Sequence, residues 1–116
     1  MVVRSGLAED EIDRIFGALA DPTRRDILGR AIRREQSVSA LARRYAMSFA
    51  AVQKHVAVLE RATLITKERS GREQIVHANR ATVGKAVTLL GNYEQLWIQR
   101  AKQIADILAN PKGEQT

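Results

Sequence analysis

Apolar positions along most of the chain recur every three to four residues, the period of a helix with one buried face. Ala8, Ile12, Ile15, Phe16 and Leu19 predict a first helix over 8–19, with Glu9, Asp10 and Glu11 at its start, where acids complement the helix dipole. Asp21-Pro22 restarts the chain. Asp can cap a helix, and Pro at the first helical position sacrifices no hydrogen bond. This second helix is expected to run to about Arg33 and to bury Ile27, Leu28 and Ile32. Val38 is placed as a minimal strand. SVSALARRYAM then predicts a short helix starting near Ser39, with Leu41, Ala42 and Tyr45 as its apolar positions. After a brief turn, SFAAVQKHVAVLERATL predicts a helix over 49–62, capped by Ser48, with Val52, Val56 and Leu59 on one apolar face.

The period changes only in ITKERSGREQIVHA. Its two short runs, 65–69 and 74–78, flank Ser70-Gly71 and polar neighbours, a hairpin signal. Asn79 then serves as a turn or cap residue before a long helix over about 83–109. The fold class is mainly α with a small β-hairpin: about five helices plus a two-stranded wing. Two short helices around a tight turn make a helix-turn-helix, and the basic hairpin that follows makes it a winged one. By length the chain is one domain over 1–116, with an ordered core at 8–108 and a flexible polar tail at 110–116.

In the last helix Val83, Val87, Leu90, Trp97, Ala101, Ile104 and Leu108 form one stripe, which Leu89, Tyr93, Leu96 and Ile98 widen beyond a single face. So broad a surface either wraps across its own domain or packs against a second copy. A two-fold dimer is the more economical reading, with Ile12, Phe16, Val87, Leu90, Tyr93, Trp97 and Ile104 at the interface. Tyr93 and Trp97, four apart, serve as packing residues or border an interfacial ligand pocket.

Off the apolar face of the capped helix lie Ala50, Ala51, Gln53 and Lys54. Small residues allow close approach to a DNA major groove, Gln can pair with an adenine edge, and Lys can reach guanine or phosphate. Net charge is +6, unevenly spread. Residues 1–21 hold two Arg against five acids, residues 22–80 thirteen Lys/Arg against five acids, and residues 81–116 four against three. The positive charge therefore sits on the helix-turn-helix and wing, the footprint of a phosphate-binding surface. A merely solvated basic surface has the same count. The DNA-binding candidates are Arg43, Arg44, Ser48, Ala51, Gln53, Lys54, His55, Lys67, Arg69 and Arg72. Arg72 is favoured for a minor groove, which attracts Arg where it is narrow. Arg24 and Arg25 are further phosphate candidates. His55 either touches a phosphate or bonds internally, and His77 is structural or solvated.

The chain has no cysteine. Disulfides and thiolate metal sites are excluded, which fits a reducing compartment. MVVRSGLAEDE lacks the long apolar core of a secretion signal, and no run approaches the roughly 20 apolar residues of a membrane span. A soluble cytoplasmic protein is expected. No nucleophile–base pair, Gly-rich phosphate loop or metal-ligand spacing is present, so no catalytic residue, metal or cofactor is assigned.

IFGALADPTRRDIL (15–28), VSALARRYAMSFAAVQKHVAVLERATLI (38–65) and the wing resemble the ArsR/SmtB-type winged helix-turn-helix repressors, over roughly residues 9–108. The resemblance is to the branch without metal-binding cysteines. It implies double-stranded DNA as partner, an inverted-repeat operator, and a homodimer through the first and last helices. Metal sensing in that family uses a Cys-rich motif before the recognition helix or His and carboxylates on the last helix. Here SVSALARR stands in the first place and the last helix has no His, so metal sensing does not carry over. Two rivals stay open: a winged-helix protein–protein adaptor, and a small-molecule-responsive regulator with an effector pocket at the dimer interface.

Overall fold

The computed structural model describes residues 8–110. In chain order the elements are α1 (Glu9–Leu19), α2 (Pro22–Arg33), β1 (Gln36–Ser37), α3 (Val38–Ala42), α4 (Phe49–Arg61), β2 (Ile65–Ser70), β3 (Glu73–Ala78) and α5 (Arg80–Ala109). The tail beyond Asn110 and most of the stretch assessed for a secretion signal lie outside the described residues. No described helix is long and apolar enough to cross a membrane.

Most helices begin where a side chain satisfies an otherwise unpaired N–H. Asp21 accepts from the Arg24 N–H at 3.0 Å, Ser37 from Ala40 at 3.0 Å and Ser48 from Ala51 at 3.1 Å. Each is a polar cap that stabilises its helix by about 1 kcal/mol over Ala. At α1 the bond runs the other way: the Ala8 N–H donates to the Glu11 carboxylate at 2.9 Å. Asn79 precedes α5 without a side-chain cap; its backbone N–H instead donates to the Leu64 carbonyl at 2.9 Å, tying the start of α5 to the base of the wing.

Val52, Val56 and Leu59 of α4 are buried with Leu41 of α3, Ile27 of α2 and Ile15 of α1, and with Leu64, Ile65 and Val76 at the wing base. The sheet order is β1-β3-β2, antiparallel throughout. Ile65 pairs with Ala78 and Ser70 with Glu73, leaving Gly71-Arg72 as a two-residue turn. Gly71 has φ +63°, and a left-handed Gly opening a two-residue loop matches the right-handed twist of its strands.

Two expectations are corrected, and one open alternative is closed. The minimal strand is Gln36–Ser37 rather than Val38, because Ser37 caps α3 and commits Val38 to its first turn. Ile32 is 57% exposed; the inward face of α2 runs through Ile27, Leu28 and Ala31, and Ile32 falls one turn past its edge. The last helix does not wrap its own domain. It turns Thr82, Ala86 and Leu89 inward over its first three turns, and from Tyr93 to Asn110 every residue is exposed. The molecule therefore extends 74 Å along its long axis, with a radius of gyration of 20.4 Å, against about 13 Å for a compact chain of 100 residues.

The fourth helix, α4, ends in a Schellman motif. The Leu64 N–H donates to the Leu59 carbonyl at 3.1 Å and the Thr63 N–H to the Glu60 carbonyl at 2.9 Å. The left-handed position, normally Gly, is held by Thr63 at φ 58°, an uncommon conformation for a β-branched residue. Its hydroxyl lies 3.1 Å from that of Thr82, the one buried polar side chain among the described residues.

Arg24 and Arg25 close the C-terminus of α1. That helix has no cation in its last turn, and its final carbonyls need donors. Arg24 donates from Nε to the Ala18 carbonyl at 2.8 Å and from Nη2 to that of Gly17 at 3.2 Å; Arg25 donates to Leu19 at 2.7 Å. Both phosphate candidates are thus engaged in holding α1 to α2. Arg24→Ala should lower unfolding free energy by about 1–3 kcal/mol, the range for part-buried hydrogen bonds from a charged donor. Urea denaturation at fixed protein concentration tests this, and an unchanged midpoint refutes it.

Asp26 of α2 accepts from the Tyr45 hydroxyl at 2.5 Å and from Arg30 Nε at 2.8 Å. The Tyr45 bond, then Arg30, holds the Asp26 carboxyl below its ordinary range. Burial, then Asp26, pushes the Tyr45 phenol up to about 12. A depressed carboxyl stabilises the fold above its unfolded pKa and loses that contribution as pH falls through the folded value; a raised phenol loses its contribution as pH rises through the folded value. Stability should therefore fall below about pH 4 less steeply in Tyr45→Phe than in wild type. Parallel slopes in pH-resolved melts would remove the link.

Candidate nucleic-acid interface

Ala50, Gln53 and Lys54 lie on the exposed side of α4, opposite Val52, Val56 and Leu59. The Ser48 cap sets the first turn, so these side chains project from a helix end whose entry is fixed. Beside them the wing forms a groove of about 330 Å³, lined on the helix side by Ser39, Phe49 and Gln53 and on the wing side by Lys67, Arg69, Arg72 and Gln74. Four residues singled out from sequence, Gln53, Lys67, Arg69 and Arg72, thus come together across one opening, although up to nineteen positions separate them in the chain. Ser48 caps α4, and Ala51 and Lys54 stand on it, all three outside the groove lining. Arg43 and Arg44 are exposed in the turn before α4.

Two candidates have partners inside the chain. Lys67 Nζ lies 3.4 Å from Glu60 Oε1, an ion pair joining wing to recognition helix. His55 Nδ1 is 3.1 Å from Arg24 Nη1 and 3.9 Å from Asp21 Oδ2. Guanidinium only donates, so His55 accepts at Nδ1 and carries its proton on Nε2. The internal bond open to His55 is formed. The Asp21 carboxyl is held below its ordinary range first by the Arg24 backbone N–H, with the Arg24 charge adding to it. His77 bridges two carboxylates, with Nε2 2.8 Å from Glu68 and Nδ1 3.4 Å from Glu35, and so clips the wing to the segment before β1.

Sequence reasoning missed Phe49. It opens α4, is 48% exposed and lines the groove. Its position hid it: Phe49 stands three residues before Val52 and seven before Val56, in line with the 52/56/59 face, where an aromatic reads as core. Among the described residues no group of three His, Asp or Glu converges as a metal site would require.

A helix-turn-helix domain family model matches residues 19–68, from the end of α1 to the middle of β2. No curated protein matches. Among solved structures, an ArsR family transcriptional regulator is 32% identical over 78% of this chain and 94% of its own, with a TM-score of 0.73. An ArsR-like transcriptional regulator from Rhodococcus sp. RHA1 is 34% identical over 84% of this chain and 92% of its own, also at 0.73. A homodimeric winged helix-turn-helix DNA-binding domain from Mycobacterium bovis shares the fold at 22% identity and a TM-score of 0.60, over 80% of this chain and 94% of its own. With the winged helix-turn-helix in place and these two regulators matching across nearly their whole length, the chain belongs to the ArsR family of DNA-binding transcriptional regulators, a family of regulators and not of enzymes.

Proposed function

We propose that the protein is a homodimeric repressor that occupies an inverted-repeat operator and competes with polymerase there. The observation that carries this reading is the convergence of Gln53 with Lys67, Arg69 and Arg72 around one groove. An amide on an exposed helix face suits base reading, and the wing cations suit adjacent phosphates or the minor groove. Ser48, Ala51 and Lys54 complete the reading surface, with Arg43 and Arg44 on flanking phosphates. His55 acts from behind, through its bond to Arg24.

The dimer is supported by the outward stripe of α5. Val87, Leu90, Tyr93, Trp97 and Ile104 are all exposed, Trp97 by 73%, and a run of apolar side chains this long is rare on a monomer. Ile12 and Phe16 of α1 are half-buried and leave surface for the same seam. The M. bovis relative being homodimeric agrees with it. Two reading helices related by a two-fold meet half-sites about one helical turn apart.

Operator affinity should fall steeply with salt, since each neutralised phosphate releases counterions. Gln53→Ala should relax base preference by about 1–3 kcal/mol at one position of each half-site. Fluorescence anisotropy on operator and scrambled duplexes reads both. Binding indifferent to salt and sequence would favour the adaptor reading instead, for which the exposed Phe49 would be the contact.

Trp97→Asp places a charge in the stripe, which is costly in an apolar contact unless paired. The variant is expected to sediment as a monomer at micromolar concentration and to lose most operator affinity with its linked second half-site. A wild-type monomer, or a variant that stays dimeric and binds normally, would exclude α5 as the seam.

A further inference from the structure

A second depression, about 460 Å³, lies where the base of the wing becomes α5. It shares no residue with the recognition groove: Glu73 and Gln74 line that groove at the tip end of β3, whereas His77 and Ala78 line this one at the base. Its volume falls in the roughly 300–1,000 Å³ range of small-molecule sites. Ala31, Ile32, Ala78 and Val83 give it an apolar wall, with Arg34 and Arg80 at its edge. Neither arginine has a carboxylate partner among the described residues. The one acid in the lining, Glu35, lies 3.4 Å from His77 Nδ1. The cavity thus offers two guanidinium groups against one carboxylate, beside a hydrophobic wall that includes the exposed Ile32.

We propose that this cavity binds a small organic acid, its carboxylate held by Arg34 and Arg80 and its apolar body lying against Ile32 and Val83. Guanidinium is suited to bidentate recognition of a carboxylate. The apolar wall selects against bare phosphate, which has nothing to bury there. An occupant would bridge α2 to the joint between β3 and α5, and Val87 of the outward stripe lies one helical turn beyond Val83. The site does not depend on the operator reading, and its test uses free protein, so failure of one leaves the other standing.

The ¹⁵N-labelled full-length chain is titrated with benzoate, with its neutral isostere benzamide, and with inorganic phosphate. Benzoate should shift amides within 31–35 and 77–83. Benzamide should bind about tenfold more weakly or worse, as expected for loss of a charge-assisted hydrogen bond, and phosphate should leave these amides in place. The double variant Arg34→Gln/Arg80→Gln should lose benzoate binding with its remaining spectrum preserved. Ile32→Glu, which sets an acid in the apolar wall, should lose it as well. Millimolar benzoate that moves none of these amides overturns the proposal. So does equal binding of benzamide or phosphate, or binding retained by the double variant.

Discussion

Val52, Val56 and Leu59 lie along one side of α4 and are wholly withdrawn from solvent, and the other elements are arranged around that side. α1, α2 and α3 press on it, and β2 begins where it ends. Burying three branched side chains completely contributes several kcal/mol, at about 1.5–3 kcal/mol each. The helix is therefore fixed in rotation as well as position. Since the apolar side must face inward, Ala50, Gln53 and Lys54 have no choice but to face out. The proposed reading surface is a by-product of packing, and the wing adds its cations at the edge of that surface.

Polar ties then set the angles that burial leaves free. Arg24 joins the end of α1 to the start of α2 and reaches His55 on the recognition helix, so three elements share one guanidinium. Tyr45 and Asp26 do the same for the turn between α3 and α4. Both ties run between segments that already touch through the core, and they act on orientation more than on association.

Much of this was legible in the chain. The caps at Asp21 and Ser48, the 52/56/59 face and the two wing strands follow from local chemistry and period, and the structure keeps them. What was not legible depended on long-range contact. Arg24 and Arg25 have the composition of phosphate ligands, and nothing local says that the carbonyls of α1 take them first. Ile32 fits the helical period of α2, yet the edge of the buried face depends on where β3 and α5 arrive. Phe49 was passed over because an aromatic at the head of a helix is ordinarily assigned to packing. The strand at Gln36–Ser37 was misplaced by one or two residues because Ser37, a cap, outweighs the β preference of Val38.

Thr63 is the last of these, and its effect is on what the molecule can change. A left-handed β-branched residue joins the recognition helix to the wing in a single step, locked by hydroxyl contact with Thr82. Helix and wing are thereby set at one angle by residues outside the proposed reading positions. Gln53, Lys54 and Arg72 carry none of the core packing. Their identities can drift toward a new target sequence while the frame that presents them keeps its shape. Variation in specificity is thus decoupled from variation in stability, and descendants of this chain can diverge in the sites they recognise without having to refold.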